Sequence, residues 1–140
     1  MKFSLVEITW MIHATEDGEK VVKKMIELFP LSIDDIESFS LEGHFGNPIL
    51  IYKVRLTGDK VDEFVQSLFS SINDVDKKIL ERELPKYLDK HGVFYIRIDK
   101  QFLCEGKILL SEKDAIRIKL KPKNNLKFNE KLSYYRRLLR

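Results

Sequence analysis

Between Phe3 and Ala14 the side chains alternate in polarity, with Val6, Ile8, Trp10 and Ile12 on one side and Glu7, Thr9, Met11 and His13 on the other. Successive residues of a strand point to opposite faces of a sheet, so this run predicts a strand with one buried and one half-wet face. A strand of that kind needs hydrogen-bonding neighbours and a cover over one face only. The rest of the chain supplies both. Ile36–Leu41 and Ile49–Leu56 read as two strands around the turn-rich segment Gly43-His44-Phe45-Gly46-Asn47-Pro48, and a hairpin is the simplest connection. Val93–Asp99 and Ala115–Lys121 alternate in the same way, and a shorter strand is expected at Gly106–Leu110.

The cover is helical. Thr15 offers an N-cap hydroxyl, Glu16, Asp17 and Glu19 put negative charge at the positive end of a helix dipole, and Val21, Val22, Met25, Ile26 and Phe29 follow at helical spacing up to Pro30. Val61, Phe64, Val65, Leu68, Phe69 and Ile72 form the clearest amphipathic helix, opened by Gly58 and Asp59. A third helix, capped by Asn73 or Asp74, carries Val75, Ile79, Leu80, Leu84 and Leu88, with Pro85 expected to kink or end it. Near the C-terminus, Phe128, Leu132, Tyr135 and Leu139 recur at i, i+4, i+7 and i+11 behind a possible Asn129 cap. The order predicts an α+β fold, a largely antiparallel sheet with helices packed on one face, plus a basic C-terminal helix. Residues 1–121 are expected to form the domain and residues 122–140 a basic tail, so removal of residues 123–140 is expected to leave a folded body.

Composition narrows the function classes. At 140 residues and 44% hydrophobic residues the chain suits one globular domain. Its uninterrupted apolar runs are far shorter than the roughly 20 residues of a membrane span, and no secretory leader is read at the N-terminus. A cytoplasmic protein without a membrane partner is expected. The single cysteine, Cys104, can build neither an internal disulfide nor a cysteine-based zinc site. No phosphate-binding P-loop, dinucleotide glycine fingerprint or Ser/His/Asp arrangement occurs, and no cofactor is expected.

The net charge of +3 hides a polarised chain. Residues 1–116 hold 16 basic against 21 acidic residues, and residues 117–140 hold 9 against 1. A basic segment on a mildly acidic body points to a polyanionic partner, with a solubilising tail as the plain alternative. Alternation then assigns faces. If Phe94, Ile96 and Ile98 point inward, Tyr95, Arg97 and Asp99 point outward; Ile116, Ile118 and Leu120 inward leave Arg117, Lys119 and Lys121 outward; Leu50, Tyr52, Val54 and Leu56 inward leave Lys53 and Arg55 outward. An open sheet face bearing lysine, arginine and an aromatic ring is a platform for phosphate contact and base stacking, or simply a solubilising surface. Lys100, and Arg136 and Arg137 of the tail, complete the candidate RNA-contacting set.

Two other clusters have competing explanations. The glycines of the Gly43–Pro48 segment would let backbone amides approach a phosphate, with His44 or Asn47 adding hydrogen bonds, yet any tight hairpin needs the same residues. His13, Glu16 and Asp99 would make an acid/base or metal cluster only if they converge, and helix capping accounts for the acids more simply. No catalytic or metal-ligating residue is therefore assigned.

Four blocks carry a family resemblance: His13-Ala14-Thr15-Glu16-Asp17-Gly18-Glu19-Lys20-Val21, Leu41-Glu42-Gly43-His44-Phe45-Gly46-Asn47-Pro48-Ile49, Ile96-Arg97-Ile98-Asp99-Lys100-Gln101 and Asp114-Ala115-Ile116-Arg117. In this order, over about residues 3–121, they resemble the archaeal family described as RNA-binding or predicted exosome-subunit proteins. The resemblance implies an α+β domain similar to ribosomal protein L5, in an archaeal cytoplasmic protein linked with RNA processing. The motif residues that it carries over are His13, Thr15, Glu16, Gly43, His44, Gly46, Asn47, Arg97, Asp99, Lys100 and Gln101. The expected function is a non-catalytic RNA-binding module, and the resemblance implies the exosome or other RNA-processing proteins as partners. The alternatives are a protein-interaction subunit or homodimer docking through Phe128, Leu132, Tyr135 and Leu139, and a metal-dependent nuclease using His13, Glu16 and Asp99.

Overall fold

In the computed structural model, which describes residues 3–43, 45–113, 115–123 and 125–140, β1 (Phe3–Ile12) is the centre of a five-stranded antiparallel sheet. On one side β1 pairs with β3 (Pro48–Leu56), which in turn pairs with the edge strand β2 (Ile36–Glu42). On the other it pairs with β5 (Ala115–Pro122), and β5 with β4 (Phe94–Asp99). The order β2-β3-β1-β5-β4 puts the strand with the most regular alternation in the middle.

The helices are α1 (Gly18–Leu28), α2 (Asp59–Ser71), α3 (Asp74–Arg82), α4 (Lys100–Cys104) and α5 (Phe128–Leu139). Single 3₁₀ turns lie at Ile33–Asp35 and Leu84–Tyr87, the second where Pro85 ends the α-helical path. The start of α1 differs from expectation. Its N-cap is Asp17, whose carboxylate accepts from the Glu19 and Lys20 amides, so Thr15 stays outside the helix. Asn73 caps α3 as its sequence position suggests. Asp99 caps α4, a helix too short to leave a periodic signal, by accepting from the Phe102 amide at 2.8 Å. The expected strand at Gly106–Leu110 is reduced to a bridge between Ile98 and Leu110, because β4 is met by only two backbone bonds there, from Asp99 N to Leu109 O and from Ser111 N to Arg97 O.

One face of the sheet carries the core. Val6, Ile8, Trp10, Val54, Leu56, Phe94, Ile96, Ile98, Ile116, Ile118 and Leu120 are buried against Val21, Met25, Val61, Phe64, Leu68 and Phe69 of the helices. Trp10 stacks on Tyr52 with ring centres 5.3 Å apart and planes at 8°. The C-terminal helix belongs to this core. Tyr135 is fully buried, stacks on Phe94 at 5.2 Å, contacts Phe3 at 5.8 Å and donates its hydroxyl to the Gly92 carbonyl at 2.8 Å. Lys131 lays its stem against Gly92 and donates to the His91 carbonyl at 2.9 Å. Gly92 sits at a positive φ, and a Cβ there would also strike Lys131, so the turn into β4 and the seat of α5 share one residue. Leu139 is buried as well, so most of the apolar stripe of α5 faces its own domain, with Phe128 remaining exposed.

Candidate nucleic-acid interface

The side chains that leave the core define the opposite face. Antiparallel register aligns them in rows across the strands: Glu37, Lys53, Thr9, Arg117 and Arg97 in one, Arg55, Glu7, Lys119 and Tyr95 in the next, and Phe39, Ile51 and Met11 in a third. The strand alternation read from sequence thus places Lys53, Arg55, Tyr95, Arg97, Arg117, Lys119 and Lys121 on one outer face. Arg97 and Arg117 are direct cross-strand partners, an arrangement of like charges that disfavours the isolated sheet. Arg97 donates to the Glu112 carbonyl at 3.5 Å, while Arg117 has no ion-pair partner among the described residues. Lys119 lies 3.6 Å from Glu7, with both side chains still more than a third exposed. The Lys53 ammonium sits 5.4 Å over the Phe39 ring.

Part of this face is concave. A groove of about 940 Å³ has Thr9, Arg97, Arg117 and Lys119 on its floor and Tyr95, Tyr87, Glu83 and Glu112 among its walls. Burial pushes the Tyr87 phenol up, with Glu83 and Glu112 adding to the effect, so its hydroxyl stays protonated and able to donate. Tyr95 donates to Asp89 at 3.3 Å, which fixes the ring while leaving it 44% exposed.

Lys100 does not join this surface. It is 5% exposed, donates to the Met11 carbonyl at 2.7 Å and lies 2.9 Å from a Glu16 oxygen. It follows Asp99 as the first residue of α4, so the strand alternation that served Tyr95 and Arg97 no longer applies to it. Glu16 also accepts from the His13 amide at 3.0 Å and so ties the end of β1 to the start of α4. Asp99 caps α4 and Glu16 pairs with Lys100, and among the described residues no three His, Cys, Asp or Glu side chains gather as a metal site.

The loop after β2 behaves as a tight turn. The Gly43 amide donates to the Asn47 carbonyl and the Gly46 amide to the Gly43 carbonyl, so both point inside the loop, and Gly46 takes the positive φ that the reversal requires. His44 lies outside the described residues. A small cleft of about 240 Å³ brings His13 and Thr15 next to Phe45 and Asn47. The motif blocks therefore meet at one end of the sheet, where β1 and β4 finish and β3 and β5 begin. Gln101 is exposed there, on the first turn of α4.

The tail cations lie elsewhere. Through Tyr135, α5 occupies the helix-covered side of the sheet, where Arg136 and Arg137 are exposed, Arg137 stands 5.6 Å over the Tyr134 ring and Arg140 pairs with Glu81 at 2.7 Å. Phe39 was not among the residues assigned from sequence. Its outward position follows from pairing with Ile51, because the alternation in Ile36–Glu42 alone does not say which side faces the core.

Comparison with known proteins places this geometry in a family. A family model described as RNA binding matches residues 5–122. An RNA-binding protein of Pyrococcus abyssi is 36% identical over 124 residues, covering 84% of this chain and 80% of its own length. The crystal structure of a DUF54 protein from Archaeoglobus fulgidus superposes with a TM-score of 0.80 at 29% identity, over 98% of this chain and 99% of the other. A DUF54 protein from Methanothermobacter thermautotrophicus gives 0.78 at 26% identity over the whole of both chains.

Proposed function

We propose, from the premise that this chain belongs to the RNA-binding family, that it is a non-catalytic RNA-binding protein whose outer sheet face meets phosphate and sugar. The observation that carries this reading is the opposed pair Arg97 and Arg117 on a face where basic residues outnumber Glu7 and Glu37. Two guanidinium groups held side by side on an open sheet cost the free protein some stability, and an anion bound between them removes that cost. Phosphate contacts set affinity without reading base identity, so binding is broad in sequence.

The test is titration of RNA at several salt concentrations. The double substitution Arg97→Ala with Arg117→Ala is expected to weaken binding across sequences and to lower the slope of log affinity against log salt by about 1.4, at about 0.7 per single-strand phosphate contact. An unchanged slope would move the interface off this face. RNA incubated with the protein and Mg²⁺ or Mn²⁺ is expected to remain intact, since Glu16 is held by Lys100 and Asp99 by the Phe102 amide. A role beside the exosome in a cytoplasmic archaeal protein, and likeness to ribosomal protein L5, extend the family resemblance. Co-purification with tagged exosome subunits before and after RNase treatment tests the first.

A further inference from the structure

Outer-face aromatic rings stand at opposite corners of the sheet. Tyr95 lies on the edge strand β4, in the row of Lys119 and Glu7, and is 44% exposed. Phe39 lies on the other edge strand, β2, in the row of Ile51 and Met11, and is 41% exposed. Between the two edges are four strand intervals, about 19 Å across the sheet. The ground between them holds Lys53, Arg117 and Arg97 in a single cross-strand row.

A phenylalanine left open to water on a sheet carries a hydration cost that burial would remove, and beyond the buried Ile51 the same row ends on Met11, itself 41% exposed. What stacks on it has to offer flat apolar area and draw aside the Lys53 ammonium that lies 5.4 Å over the ring. A nucleobase with its phosphate does both, since the base stacks on the ring and the phosphate meets the cation. A duplex offers the phosphate but not the base, because its bases are already stacked on one another.

We infer that the outer face selects single-stranded RNA laid across the strands, with one base stacked on Tyr95, another on Phe39, and the intervening phosphates over the row of Arg97, Arg117 and Lys53. This rests on the outer face being the RNA surface and adds the form of RNA that it takes. Stacking tolerates any base, so selectivity is for strandedness and not for sequence.

The experiment measures binding by the full chain of a fluorescein-labelled oligouridylate of about 8 nucleotides, which falls within ordinary single-strand site sizes, and of an RNA duplex of the same length. The variants are Phe39→Leu, which keeps an apolar side chain but removes the ring, Phe39→Trp, which restores one, and Tyr95→Leu; circular dichroism verifies their fold. Expected are preference for the oligouridylate, a weakening of about 5- to 100-fold for each leucine variant, and near wild-type binding by Phe39→Trp. Equal or tighter duplex binding, or wild-type affinity in Phe39→Leu, would overturn the inference while leaving RNA binding by the face intact. No binding of either RNA would overturn both. A dimer in sedimentation that Phe39→Leu dissociates, with RNA affinity unchanged, would assign the Phe39 patch to a second copy of the chain instead.

Discussion

Lys100 places its ammonium 2.7 Å from the Met11 carbonyl and 2.9 Å from Glu16, in surroundings that leave it 5% exposed. Lys100→Ala is expected to lower stability by about 1–3 kcal/mol, since it removes charge-assisted bonds and leaves the Met11 carbonyl and the half-buried Glu16 carboxylate with fewer partners. Urea denaturation measures this, and RNA affinity of the folded fraction is expected to stay unchanged. An affinity loss without a stability loss would return Lys100 to the RNA surface. Two carboxyl groups make stability depend on pH. The Ser32 amide and Lys60 hold Asp35 below the ordinary carboxylate range. For Asp89, burial pushes the value up, but donation from the Val93 and His91 amides and the Tyr95 hydroxyl outweighs it and leaves the group lowered. Because both folded values lie below the unfolded value near 3.9, their contribution is complete above it and disappears as pH falls through the folded values. Urea midpoints are therefore expected to be level in these contributions from about pH 7 to 5 and to fall below about pH 4.

The element that changes most in meaning is α5. Its sequence shows a basic amphipathic helix, and amphipathicity states that one face is buried without stating against what. The structure answers with Phe94 and Phe3, which receive Tyr135. Tyr135→Ala is expected to cost about 3–5 kcal/mol, as for other large aromatic truncations in a core. Deleting residues 123–140 is expected to leave Phe3 and Phe94 uncovered and the cooperative unfolding transition weakened or lost, which thermal denaturation followed by circular dichroism reads directly. Arg136→Gln with Arg137→Gln tests the charge of the helix without that damage. Stability is expected to stay within about 0.5 kcal/mol, and because α5 lies on the helix-covered side, RNA affinity is expected to change less than in the Arg97 and Arg117 double variant. A loss as large would move the interface to α5. The five-residue α4 was not legible for the opposite reason, being too short to show a period, although Asp99 at its start is an ordinary cap residue.

Across the whole molecule, β1 is hydrogen-bonded on both sides over most of its length, while residues 105–113 touch β4 through few backbone bonds. Hydrogen exchange is expected to be slowest in β1 and β5 and fast in residues 105–113, because opening the centre of the sheet requires near-global unfolding. Uniform protection would contradict that hierarchy. The periodicities determined a good deal of this architecture by themselves. A period of two buries one side of each strand, so Tyr95, Arg97, Arg117, Lys119, Lys53 and Arg55 were placed outward before any neighbour was known, and the run Val61–Ile72 specified its helix because apolar spacing near 3.6 has few other solutions. Tertiary structure decided what periodicity leaves open. Cross-strand register set Arg97 against Arg117 and carried Phe39 onto the same face. The turn from β4 into α4 swung Lys100 inward to Glu16, and long-range packing turned the C-terminal stripe onto Phe94. Periodicity fixes which side of an element is apolar, but partners lie far apart in the chain, 89 residues for Lys100 and Met11 and 117 for Ser4 and Lys121, and only the packed sheet and helices bring them together.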